Sequence, residues 1–254
     1  MQLAPKRPVM MRTKYLLPLC FVALGHTTAT AQKHVYEDLL VMYVDEKYEK
    51  CIFKAEGYAT HDATKRDPLP FLYISMSLHE MAKQPEKYAK DYPKAGRDAL
   101  KWAEKYRRKD KNLEFFRNYE DYWISLNTYA LDEGELQLDD PKGTTRARQA
   151  FTSMTKYYPE NPGPWLLLAV AQHKANMARE ADTSIAGFEK AMAEAGDINT
   201  LSQDQKRALK SGLIRYSDLM LEKGQRDQAR KYIAMGKDAF MDQDDFKGAY
   251  NALH

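Results

Sequence analysis

From residue 35 onward, apolar side chains recur every three to four positions, and no run of alternating β-branched residues interrupts them. That spacing is the helical period, so the chain is expected to be all-α. Breakers cut the periodic text into pairs: 34–44 with 46–60, 68–83 with 92–108, 112–137 with 143–157, 162–177 with 179–195, and 203–223 with 226–241, then a short last helix over 243–253. The cuts have physical causes. Asp67 before Pro68 suits an N-cap followed by proline at the first helical position, and Pro141-Lys142-Gly143-Thr144 is a turn running into a capped start. Ser202 with Gln205 three residues on has the form of a capping box.

The second helix of each pair carries one pattern, a small residue followed four and then seven positions later by apolar or small ones. It occurs as Cys51, Ala55, Tyr58; Ala99, Ala103, Tyr106; Ala147, Phe151, Met154; Ser184, Phe188, Ala191; and Ala229, Ile233, Gly236. Five occurrences predict an internal repeat. A small residue lets two helices approach closely while larger neighbours fill the groove between pairs. Cys51 falls at the small packed position and is expected to be a core residue.

The segment Ala147-x3-Phe151-x2-Met154-x4-Pro159 resembles the second helix of a tetratricopeptide repeat with its terminal proline. Trp165-x2-Leu168-Ala169 is similar to the opening of that repeat, and Gly224 followed by Ala229 to its turn and close-packing position. The resemblance covers most of residues 34–241 and is clean from about 147 onward. Steps between the small positions are 48, 48, 37 and 45 residues, longer than the family unit of about 34. The resemblance implies an α-α superhelix, a solenoid of about five helical hairpins with a short C-terminal capping helix, whose first helices line a concave face that binds peptides, proteins or small molecules.

The first 31 residues have the composition of an export signal. Lys6, Arg7, Arg12 and Lys14 form a basic leader, Tyr15 to Gly25 an apolar stretch, and Ala29-Thr30-Ala31 a small-residue cleavage site. Met11 serves equally well as the start. The apolar stretch is shorter than the roughly 20 residues a membrane span needs, so residues 1–31 are expected to be removed and residues 32–254 to form the helical repeat domain. No transmembrane segment is expected after removal, and the expected location is the periplasm or cell surface of a bacterial-type envelope. Without those residues the chain holds 35 basic and 36 acidic side chains, a balance that gives no electrostatic reason to bind nucleic acid. Cys51 remains as a single thiol, which excludes an internal disulfide.

Chemistry-bearing motifs are few. His79-Glu80 lacks the second histidine of a zinc helix. Asp242, Asp244 and Asp245 before Gly248 fail as a calcium loop, because Phe246 takes a ligand position and Leu253 stands where the terminal glutamate belongs. The basic run from Lys101 to Lys111 suits a solvated helix end, with an anion site as the sharper alternative. No glycine-rich nucleotide loop or nucleophile elbow is present, so neither a catalytic residue, a metal nor a cofactor is expected.

The aromatic segment 113–130 offers the one candidate binding surface. Phe116, Tyr119, Trp123, Leu126 and Ala130 form one helical stripe, and Phe115, Tyr122, Tyr129 and Leu136 recur at sevens as another. Inner repeat helices touch neighbours on two sides, which is reason enough to bury both stripes. The sharper alternative makes Phe115, Tyr122 and Tyr129 ligand-binding residues facing a groove. The expected function is a non-enzymatic, exported scaffold or adaptor for a protein or peptide partner. A carbohydrate or small-ligand module of the cell envelope is the alternative, and oligomeric state is left open.

Overall fold

A computed structural model describes residues 36–254, and every regular element among them is helical. The export signal expected at residues 1–31 lies outside the described residues. The first hairpin is α1 (Glu37–Val44) with α2 (Tyr48–Thr60). Next come α3 (Leu69–Ala82), a single turn α4 (Pro85–Tyr88) and α5 (Ala95–Lys109). A 3-10 turn at Phe116–Tyr119 leads into α6 (Glu120–Asp139), which pairs with α7 (Thr144–Tyr157). Then follow α8 (Gly163–Lys174) with α9 (Ala178–Ala195), and α10 (Gln203–Glu222) with α11 (Arg226–Ala234). The chain closes with α12 (Lys237–Phe240) and α13 (Asp244–Leu253), and α13 packs on α10 and α11.

Two expected helices are shorter than their apolar period. The helix expected from 112 begins at Glu120, because Leu113 turns left-handed (φ 55°) and the Asp110 carboxylate takes the N–H groups of Glu114 and Phe115, at 2.8 and 3.1 Å. The helix expected over 226–241 breaks after Ala234. At Gly236 the missing Cβ leaves room for the Phe246 ring and Leu213. The Ser202–Gln205 capping box forms as expected.

The small-residue pattern marks the buried seam. Cys51, Ala99, Ala147 and Ala229 are fully buried. Cys51 donates its Sγ–H to the Leu39 carbonyl at 3.6 Å, the contact of a packed core thiol. The register in α9 differs from the expected one. Glu46, Asn176 and Gly224 end α1, α8 and α10 with positive φ, and at each the N–H bonds back three residues while the next N–H bonds back five. This closure satisfies the last carbonyls of a helix. Five positions past these residues stand Cys51, Ala181 and Ala229, so the equivalent of Cys51 is Ala181, 34 residues after Ala147, and not Ser184. Ser184 is buried for another reason, since its hydroxyl donates to Gln172 Oε1 at 2.7 Å.

Four helices form a ring in which α6 packs on α7, α7 on α8, α8 on α10 and α10 back on α6. Within it Tyr157 donates to Asn127 Oδ1 at 2.7 Å, and Asn127 Nδ2 donates to Asp204 Oδ2 at 2.7 Å. All three are buried, so the chain of bonds is what makes their burial tolerable. Outside it, Arg207 meets Asp132, Ser211 meets Glu135, and both terminal nitrogens of Arg215 meet the Asp139 carboxylate at 2.7 and 3.0 Å. The α8–α10 side is closest. A Cβ on Gly163 would lie 2.3 Å from the Ala208 carbonyl carbon and 2.4 Å from the Leu209 nitrogen, and Gly212 sits against Gly163 in turn.

Backbone cannot retreat as a side-chain tip can, so Gly163→Ala is expected to destabilise by about 3 kcal/mol or more, at the upper end of overpacking costs. Gly248→Ala, in α13 with open space around it, should stabilise by about 0.5–1 kcal/mol through helix propensity. Denaturant melts of the two variants check the pair, and equal behaviour would contradict the close approach.

Candidate ligand cleft

The structure separates the three aromatic candidates. Tyr122 and Phe115 are buried, at 8 and 9 % exposure. The Tyr122 hydroxyl lies 2.6 Å from Ser75 Oγ, which itself donates to the Ala99 carbonyl at 2.6 Å. That bond and the contact with Trp123, 4.7 Å between ring centroids, commit Tyr122 to the core between α3, α5 and α6. Its edge borders a shallow cleft of about 560 Å³ beside Tyr43 and Glu80. Phe115 and Tyr122 thus occupy the buried positions expected of packed stripes, and turning Tyr122 outward toward the alternative groove would break its bond to Ser75. Only Tyr129 keeps a partly open position. Leu136, at the end of the same stripe, is exposed.

Tyr129 forms part of the floor of a second cleft, about 840 Å³, between α5, α6 and α7. Gly96 makes this possible. A Cβ there would fall 1.8 Å from the Tyr129 hydroxyl oxygen, so the tip of the phenol reaches the α5 backbone. Burial, and after it the Glu133 carboxylate, push the Tyr129 phenol above its ordinary pKa, which keeps it a neutral hydrogen-bonding group.

The walls are α5 and α7, running side by side in the same direction. Ser153 Oγ on α7 donates to Glu104 Oε1 on α5 at 2.6 Å, Lys156 approaches the other Glu104 oxygen at 3.4 Å, and Arg107 pairs with Glu160 one turn further. Glu104 thus ties one end of the cleft shut. The other end is open and basic: Lys94 and Arg97 begin α5, and Arg146 and Arg148 begin α7. The side chains of Lys94, Arg97 and Arg146 have no hydrogen-bond or ion-pair partner among the described residues, and neither does that of Glu133; the nearby Asp98 pairs with Lys101. Arg148 Nε and Gln137 Oε1 are shielded from water and also unpartnered. The basic run at 101–111 contributes only Lys101 to this cleft.

Sequence period does not disclose such a site, because its cations sit on ordinary exposed helix positions of two helices about fifty residues apart. One local signal exists. Basic residues open α5 and α7, and the first turn of α7 has no acidic residue, against the preference of a helix N-terminus for negative charge. Among the described residues no group of three or more His, Cys, Asp or Glu side chains is placed to hold a metal. No helix there is long and apolar enough to cross a membrane.

Below the cleft floor His79 is fully buried, edge-on to Tyr122 and Tyr129 with ring centroids 5.9 and 5.5 Å away. Nε2 shares a 2.9 Å hydrogen bond with Ser125 Oγ, while Nδ1 has no partner. Burial, and then the Lys83 ammonium, lower its pKa from 6.5 to about 4. As pH falls below 6.5 the unfolded chain takes up a proton that the folded His79 refuses until about pH 4. Stability therefore drops through that window, by on the order of 3 kcal/mol at its lower end. Urea melts at pH 7 and pH 4.5 should show a smaller acid loss for His79→Gln than for the parent, and Tyr122→Ala should cost about 3–5 kcal/mol at either pH. No family model, curated protein or solved structure matches the chain.

Proposed function

We propose that this chain is a non-enzymatic binding scaffold, a tetratricopeptide-like array of helical hairpins exported to the periplasm or cell surface, which holds a protein or peptide partner in a groove between hairpins. The observation that carries this reading is the open cleft of about 840 Å³ between α5, α6 and α7. Along α5 it runs from Lys94 to Glu104, about 15 Å at helical rise, the length of about four extended residues. Of its two carboxylates, Glu104 is engaged by Ser153 and Lys156, a bracing use rather than a reactive one. Unpartnered cations along the rim and a phenol in the floor suit capture of a ligand.

A second reading, a carbohydrate or small-ligand module, draws on the same cleft. Its volume lies within the range of about 300–1,000 Å³ that encloses small molecules, and Gln137, Gln149, Thr152 and Ser153 supply neutral polar groups.

Both readings give the cleft one floor, and Gly96→Ala tests it by pushing the Tyr129 ring into the open space. In a crosslinking pull-down of the full chain from its own cell-envelope extract, a specific partner is expected with the parent and is expected to be lost with Gly96→Ala, whose melting temperature should change little because a ring tip can shift. A partner retained by the variant would move the groove elsewhere. No specific protein with either chain would leave the small-ligand reading.

A further inference from the structure

The α5–α6–α7 cleft sets two kinds of unsatisfied group side by side, cations on its rim and acceptors on its floor. We propose that it binds an acidic saccharide, a short chain of hydroxylated rings bearing carboxylate or sulfate groups. The inference rests on the cleft being the binding site, as proposed above.

The cations alone call for an anion. Lys94, Arg97 and Arg146 stand at the N-terminal ends of two parallel helices, where the helix partial charge is itself positive. With no carboxylate paired to them they oppose the helices they begin, and a bound negative group would turn that opposition into attraction. Lys101 on α5 and Lys156 on α7 also line the cleft, each already paired, with Asp98 at 3.0 Å and with Glu104 at 3.4 Å. The three unpaired cations Lys94, Arg97 and Arg146 come from two helices and carry more charge than one monovalent anion balances, so the match is to a ligand with more than one negative group.

The floor calls for donors. Glu133 has no partner among the described residues, and Gln137 Oε1 is shielded from water with none. A shielded acceptor left unpaired, as at Gln137, is costly, while Glu133 is exposed and open to a donor from the cleft. Ring hydroxyls donate to both groups, and the Tyr129 phenol offers a flat face with a hydroxyl at its edge. An acidic peptide matches the rim but sets its carboxylates against Glu133; a neutral sugar matches the floor and leaves the rim unbalanced.

Calorimetric titration of the full chain at low salt tests this with four probes: hexagalacturonate, a sulfated heparin hexasaccharide, neutral maltohexaose and hexaglutamate. At least one acidic saccharide is expected to bind, with affinity falling as salt rises. Binding by hexagalacturonate alone assigns the carboxylate, and by the heparin fragment alone the sulfate. Arg97→Ala with Arg146→Ala, both exposed and unpaired in the fold, should weaken that binding about tenfold or more at an unchanged melting temperature. Glu133→Ala should shift the preference from the saccharide toward hexaglutamate, because both lose a like charge but only the saccharide hydroxyls lose an acceptor. Absence of saccharide binding, affinity indifferent to the arginine pair, or hexaglutamate binding as tightly as the best saccharide overturns the inference. If no saccharide binds but the arginine pair abolishes capture of a crosslinked protein, the saccharide reading fails while the cleft remains the binding site.

Discussion

Contact between helix backbones at single small residues governs this fold. At Gly163 the chain of α8 lies directly on the chain of α10, with Gly212 on the opposing surface. Side chains cannot reach such a contact, so it fixes the distance between two helices to within an atom's radius. The fully buried Cys51, Ala99, Ala147, Ala181 and Ala229 do the same in other hairpins with a side chain no larger than a methyl or thiol group. Aromatic rings then fill the space left between, as Phe151 does over Gly134 and Trp165 over Gly187.

The cleft follows from this packing. Gly96 lets the tip of the Tyr129 ring reach α5, so α6 floors the space between α5 and α7 without filling it. Glu104 then spans that space at one end through Ser153 and Lys156. A braced end and an open basic end give the cleft a direction.

Much of the helical architecture was legible in sequence because it rests on period and on local chemistry. The capping box at Ser202 and Gln205 and the buried, bonded thiol of Cys51 are examples. Errors arose where tertiary contacts overrode local pattern. Ser184 looked like a repeat position because it is small and buried, but its burial follows from its bond to Gln172, and only the shared turn at Glu46, Asn176 and Gly224 identifies Ala181 as the equivalent. The aromatic sevens allow either a packed stripe or a groove, and what draws Tyr122 inward is Ser75, a partner 47 residues away that no helical period can reveal. The cleft cations were visible only as ordinary surface charges, since their meaning depends on α5 and α7 lying side by side.

The closed ring of α6, α7, α8 and α10 has a consequence for how the molecule comes apart. In an open array each hairpin leans only on its neighbours, and unfolding can spread from either end one unit at a time. Here Asn127 with Asp204, Asp132 with Arg207 and Asp139 with Arg215 join residues 75 to 77 apart in sequence. A fray that starts at α13 and passes through α11 reaches α10 and must break these bonds together with the α8 contact. The ring therefore behaves as a cooperative block. Closing it also costs the entropy of loops 75 to 77 residues long, which must be met before these bonds can form.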